Sequence, residues 1–399
     1  MDQKRMGLSQ QTKKSINHSR FFILLTFFLT ILKIPNGFCQ TILSLSNGAE
    51  LSYRNGQFDL SNYTGEMSDV IYYQPNGEFI TAENVIIRSN EDTLYENAIY
   101  NLVEIKRSKL DSQKEQFSLS AELIKLQDLP YSLVVHLLKS AKLSYNGKNF
   151  SDSSDAELVL LSPNLQLLGV DFERKGISIK TEEIKASIIR KENIFSNNLP
   201  LTNFKLSLED TKVQPDEKSK IASNFASFLS DAELNALSLS LVTESQFFQD
   251  NNIQHIKLSI QLISSQLIRM KINLHVSFVA LESLPKIIDP NLLKSVLPHT
   301  KLHMIELELK DLGLHSRLSD SRSIRYHNAT DNFYNALIKS MPKNGESLAN
   351  PLKLFTYSGG TLKLKSRPSS PKPIAMIASM LLFPELLVEE FAISSSHYQ

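Results

Sequence analysis

Between residues 267 and 279, oily and water-loving side chains alternate without a break. Ile268, Met270, Ile272, Leu274, Val276 and Phe278 share one parity; Arg269, Lys271, Asn273, His275 and Ser277 share the other. Successive side chains of an extended strand point to opposite faces, whereas an amphipathic helix needs apolar residues three or four apart. The run is therefore predicted to be a strand with one greasy face. The stretch before it repeats the rhythm: Ile256, Leu258, Ile260 and Leu262 alternate with Lys257, Ser259 and Gln261, and Ser264 and Ser265 stand where a turn is needed. Leu237, Leu239 and Leu241 alternate with Ser238 and Ser240, and Ile305, Leu307 and Leu309 with Glu306, Glu308 and Lys310. These runs predict long neighbouring strands of antiparallel sheet. A run of about eleven residues at about 3.3 Å each spans roughly 36 Å. Something must cover its apolar face, and the predicted helices are few: 217–229, 331–341 and 374–388, the last interrupted by Pro384.

The N-terminal part has shorter elements. Asn55-Gly56 and Pro75-Asn76-Gly77 are hairpin-turn signals, and 79–88 and 98–105 read as strands. A repeat is also visible. Leu126, Leu129 and Pro130 followed by Leu137, Leu138, Lys139 and Ser140 recur as Leu281, Leu284 and Pro285 followed by Leu292, Leu293, Lys294 and Ser295. At the same offset Phe117, Leu119, Ala121 and Leu123 fall on Ile272, Leu274, Val276 and Phe278. The expected fold is α+β, mainly antiparallel β-sheet. It has two related halves, 41–205 and 206–399, each a long-stranded curved sheet with a short helix after a Leu-Pro.

Residues 1–40 read as an export signal. A basic region ends at Arg20, an uncharged run extends from Phe21 to Leu32, and Pro35, Gly37 and Cys39 follow. This is the order of parts in a secretory signal peptide. An uncleaved anchor and a lipid-modified Cys39 are the alternatives, although the apolar run is shorter than the roughly 20 residues of a spanning helix. Cys39 is the only cysteine of 399 residues, so the body has no disulfide to rely on, which tilts the expected compartment toward a bacterial periplasm. An extracellular or inner-membrane-anchored protein is the alternative, and the sequons at Asn62, Asn149 and Asn328 do not reverse the tilt. The leader also hides the charge of the body. Taking its six basic residues from 43 and its one acidic residue from 42 leaves 37 against 41, a net charge of −4. A mildly acidic body without a basic stripe excludes nucleic acid as the expected partner.

Motifs that carry chemistry are scarce. Phosphate-cradling glycine loops, a glycine-flanked nucleophilic serine and a zinc-binding HExxH helix are all missing from the sequence. Ser358-Gly359-Gly360 is read as a hairpin turn. His299 and His303 are four apart, with His275 and His315 on nearby predicted elements. Spacing adds no acidic partner, so solvent-facing sheet histidines are expected and no metal ligand is assigned. Glu182-Glu183, Glu306 with Glu308, and Glu389-Glu390 read as solvated carboxylates. The expectation is a non-enzymatic protein without a cofactor. The feature that would carry function is the apolar row Met270, Ile272, Leu274, Val276 and Phe278, either the wall of a groove for a hydrophobic ligand or one half of a closed core.

The alternating strands, the segment ELELKDLGL at 306–314 and the stretch from Leu354 and Phe355 to Pro373 resemble the AsmA-like β-groove proteins of Gram-negative envelopes. The resemblance is one of texture over about the last third of the chain. It implies a hydrophobic sheet associated with lipid homeostasis, a lipid or an envelope protein as partner, and peripheral membrane association. It transfers no functional residue.

Overall fold

The computed structural model describes residues 41–44, 50–59, 62–73, 78–89, 99–112, 117–130, 163–174, 176–191, 201–215, 222–250, 253–279, 299–317, 320–380 and 382–399. The leader and the segments of the repeat predicted to be helical lie outside them. Among the described residues the protein is mainly antiparallel β-sheet with a smaller helical share, an α+β fold. No helix among them is long and apolar enough to cross a membrane. Contacts gather into two compact units, residues 1–170 and 171–399; residues 205 and 206 lie inside one strand of the second.

In the first unit β1 (Thr41–Ser44) pairs with β2 (Glu50–Tyr53). β2 and β3 (Asn55–Asp59) both lie along β4 (Thr64–Tyr73), with Ser52 opposite Ile71 and Asn55 opposite Ser68 in one continuous register. Asn55-Gly56 is thus not the hairpin turn its composition predicts. The chain only bends at Arg54, and it reverses between Asp59 and Thr64, where the Asn62 amide donates to Asp59. β5 (Phe79–Ser89), β6 (Ile99–Ser112) and β7 (Phe117–Pro130) continue the antiparallel meander. β8 (Asn164–Arg174) carries the boundary between the units.

The core face of this unit departs from strict alternation along one crease, and again between Tyr100 and Val103 beside a bulge. Buried positions step by three from Met67 to Val70, Ala82 to Val85, Ile105 to Ser108 and Ala121 to Ile124, across four consecutive strands. Asp69 and Arg107, inside those steps, have φ of 50° and 47°. A left-handed residue reverses the pleat, so two neighbouring side chains point away from the core and the oily set then resumes on its own side. The diverted side chains pair in solvent, Arg107 with Glu83 at 2.7 Å and Arg54 with Asp69 at 3.2 Å, which contributes little stability at such exposure. The backbone is what a substitution would test. Arg107→Val, favourable by strand propensity, is expected to cost about 1–2 kcal/mol, because a β-branched residue resists positive φ. Arg107→Gly should be neutral or slightly stabilising; urea unfolding of the two variants orders them.

The second unit is built on β9 (Ile177–Lys191), β10 (Leu201–Pro215), β11 (Leu237–Asp250), β12 (Ile253–Ser264), β13 (Ile268–Val279) and β14 (Lys301–Asp311), each antiparallel to the next. β15 (Thr361–Ser366) and β17 (Ile393–Tyr398) extend the sheet beyond β14, and the short β16 (Lys372–Pro373) joins β14 beside them. All three predicted helices have counterparts: α1 (Ser223–Asp231) after β10, α3 (Asp320–Ser340) after the single turn α2 (Leu314–Arg317), and α5 (Ala375–Met380) with α6 (Pro384–Glu390). Pro384 starts α6, where its missing N–H costs nothing.

α4 (Gly345–Ser358) escaped the sequence reading, and it corrects the assignment of Ser358-Gly359-Gly360 as a hairpin turn. That segment is the end of a helix: the Gly359 N–H donates to the Phe355 carbonyl and φ is +70°. Pro351 inside α4 leaves the Ser347 carbonyl without its usual i+4 donor. The Ser395 hydroxyl of β17 supplies one, 2.9 Å from Ser347 O and 2.8 Å from Leu348 O. The helix survives its proline because a strand repairs it.

Candidate functional site

Register determines what each face of the second unit presents. Directly paired residues share a face. Leu206, Thr243, Ile260, Ile272, Leu307 and Leu364 therefore form one transverse row from β10 to β15. The next row runs through Leu208, Leu241, Leu262, Met270, Leu309 and Leu362. All five residues singled out on β13, Met270, Ile272, Leu274, Val276 and Phe278, lie on this face by alternation.

The chain's own helices cover the face at its ends. Val276, Leu302 and Phe391 are buried in a cluster with Ile256, Leu274, Met376, Ile377, Met380 and Leu387, which is the seat of α5 and α6. A second cluster joins Leu229, Ala232, Leu234 and Leu267, with Phe225, Phe228 and Ile268 packed against it. Val276 and Phe278 are 8% and 5% exposed and belong to closed core, while Met270, Ile272 and Leu274 are half-buried. Ile260, Leu262 and Leu307, which flank them, are half-buried too.

The opposite face of the same strands carries the densest titratable group among the described residues. His255 of β12, His275 of β13 and His303 of β14 place one ring nitrogen each within 4.8 Å of one another. His255 Nδ1 and His275 Nε2 are 3.2 Å apart, and the His275 and His303 rings stack at 4.3 Å. Phe248, opposite His255 across β11 and β12, stacks on it at 4.8 Å and closes one side. His303 Nε2 is hydrogen-bonded to Ser277 Oγ at 2.7 Å. A bulge makes the cluster: β14 takes one extra residue between the pairs His275–Met304 and Val276–Leu302. That residue is His303, which leaves Leu302 in the core and puts the imidazole beside His275.

Burial pushes all three imidazoles below the usual histidine range. For His275 the charges of His303, Lys257 and His255 add to it and bring the pKa down to about 4. His255 is lowered by burial and Lys257 against an opposing Asp250, and His303 by burial, His255 and Lys301. Below about 6.5 the unfolded chain binds a proton that folded His275 refuses, so stability present above that pH is lost as pH falls toward about 4. In urea unfolding at pH 7 and pH 5, the wild type should lose more than His275→Gln; equal losses would remove the assignment.

Of the four histidines noted in the sequence, the structure groups His275 and His303, and adds His255. His299 is exposed before β14, and His315 in α2 faces His327, ring centroids 6.5 Å apart. One carboxylate of each pair noted in the sequence is engaged in an ion pair: Glu308 with Lys363 at 2.8 Å, Glu183 with Lys185, and Glu390 with Lys372. No family model matches the chain, and a search of the curated proteins returns no match.

Proposed function

We propose that the protein is an exported envelope protein that binds a lipid or another hydrophobic ligand on the apolar face of its second unit, without catalysis. The observation that carries this reading is the middle of that face. Met270, Ile272, Ile260 and Leu307 are aligned by register and half-buried, between one cluster under α1 and another under α5 and α6. A continuous oily strip with polar margins is what an acyl chain needs, since its affinity comes from area removed from water. Buried Val276 and Phe278 favour the second reading, a structural or interaction protein whose helices close the core.

Native mass spectrometry of full-length protein purified from membranes separates the two. Bound lipid is expected on the wild type and not on the double variant Ile260→Lys, Ile272→Lys. Ligand-free wild type, still ligand-free after incubation with phospholipid vesicles, would leave the closed-core reading standing.

A further inference from the structure

We propose that His255, His275 and His303 form a three-imidazole site for a late first-row divalent cation, with zinc as the type ion, on the polar face of β12–β14. Three adjacent antiparallel strands deliver one histidine each, so the ligand set is held by backbone pairing rather than by a loop. Two nitrogens on one tetrahedral zinc stand about 3.3 Å apart when the bonds are about 2.0–2.1 Å. His255 Nδ1 and His275 Nε2 are already 3.2 Å apart. His303 completes the set by turning about its ring torsion, a broad and soft one, within the 4.8 Å that encloses all three.

The donor set selects the ion. Three neutral imidazoles with no carboxylate among them suit zinc, copper or nickel, and disfavour magnesium and calcium, which take oxygen ligands. Crowding and burial keep the rings unprotonated at neutral pH, the form that binds metal. Ser277 against His303 is an outer partner of the kind that orients a metal-bound ring. Three protein ligands on a tetrahedral zinc leave its fourth position to water. Lys257 and Lys301 oppose the added charge and Asp250 favours it, so binding is expected to be weaker than in a site rimmed with acids. The site lies on the face opposite the proposed ligand strip, and neither depends on the other.

Cobalt is the probe. Titrated into untagged full-length protein, Co2+ should give the intense visible bands of a low-symmetry, nitrogen-rich site, and Zn2+ should abolish them. Each of His255→Gln, His275→Gln and His303→Gln should weaken binding by about ten-fold or more, whereas His299→Gln and His315→Gln leave it unchanged. On the wild type alone, Zn2+ should protect the three histidines, and not His299, from carbethoxylation read by mass spectrometry, which covers any variant that fails to fold. Absence of both the cobalt bands and the zinc protection overturns the proposal. So does equal binding by wild type and the triple variant.

Discussion

Phe391→Ala is expected to destabilise the second unit by about 3–5 kcal/mol, the cost of replacing a buried phenylalanine by a methyl group. The residue is 1% exposed and joins Val276 of β13 to Leu302 of β14 beneath the C-terminal helices. Its N–H donates to the Leu387 carbonyl at the end of α6, and its own carbonyl accepts the Ser366 hydroxyl at 2.6 Å. Truncating the ring therefore opens a cavity where helix, turn and sheet meet. Urea unfolding of the full chain should show a lower midpoint. In the absence of denaturant, the variant should also bind more of a hydrophobic dye than the wild type, because α5 and α6 lose their seat on the face. A shift below about 1 kcal/mol would mean that the cluster repacks and that these helices are held elsewhere.

Gly360→Ala should cost about 2–3 kcal/mol, for two reasons that act together. Its φ of +86° is a conformation that side-chain-bearing residues avoid, and a Cβ there would run into the Tyr398 carbonyl oxygen of β17. The neighbour cannot yield, because it is backbone at the end of a paired strand, with Thr361 opposite Tyr398. Gly360 also accepts the Asp311 N–H at 2.8 Å, which holds the start of β15 against β14. Gly359→Ala is the matched control. Its φ is +70° with ψ of −142°, and the obstructing group is the Asp311 carboxylate, a side chain that can turn by loosening its hold on the Gly313 and His315 N–H groups, so about 1–2 kcal/mol is expected. Thermal unfolding of the pair separates backbone collision from positive φ alone; equal shifts would refute the collision.

Both substitutions bear on the proposed ligand face. Phe391 sets where the helical cover ends, just beyond Leu274, and Gly360 ties down β15, whose Leu362 and Leu364 continue the oily rows from β14. A Phe391→Ala variant that still folds should take up more hydrophobic ligand than the wild type if the face is a groove. If the face is closed core, it should only lose stability.

The alternation from 237 to 310 was enough to place β11 to β14 and their oily parity, because a period of two has one structural meaning in a stretch of this length. The turn at Ser264 and Ser265 even sets the register that brings His255 opposite Ser277, so one member of the histidine cluster was within reach of the sequence. His303 was not. By parity it belongs with Ile305 and Leu307 in the oily set, and only the bulge in β14 moves it across. The crease through Asp69 and Arg107 and the helix that tolerates Pro351 are of the same kind. Each depends on a residue in a neighbouring strand or on a dihedral that no residue type announces. Side-chain type and spacing determined the long strands of the second unit, their greasy side and three of its helix-forming stretches, because those are properties of local backbone geometry. Where the helices come to rest on that greasy side, and which polar groups meet behind it, only pairing between distant segments could decide, since registers and bulges are settled by packing across strands.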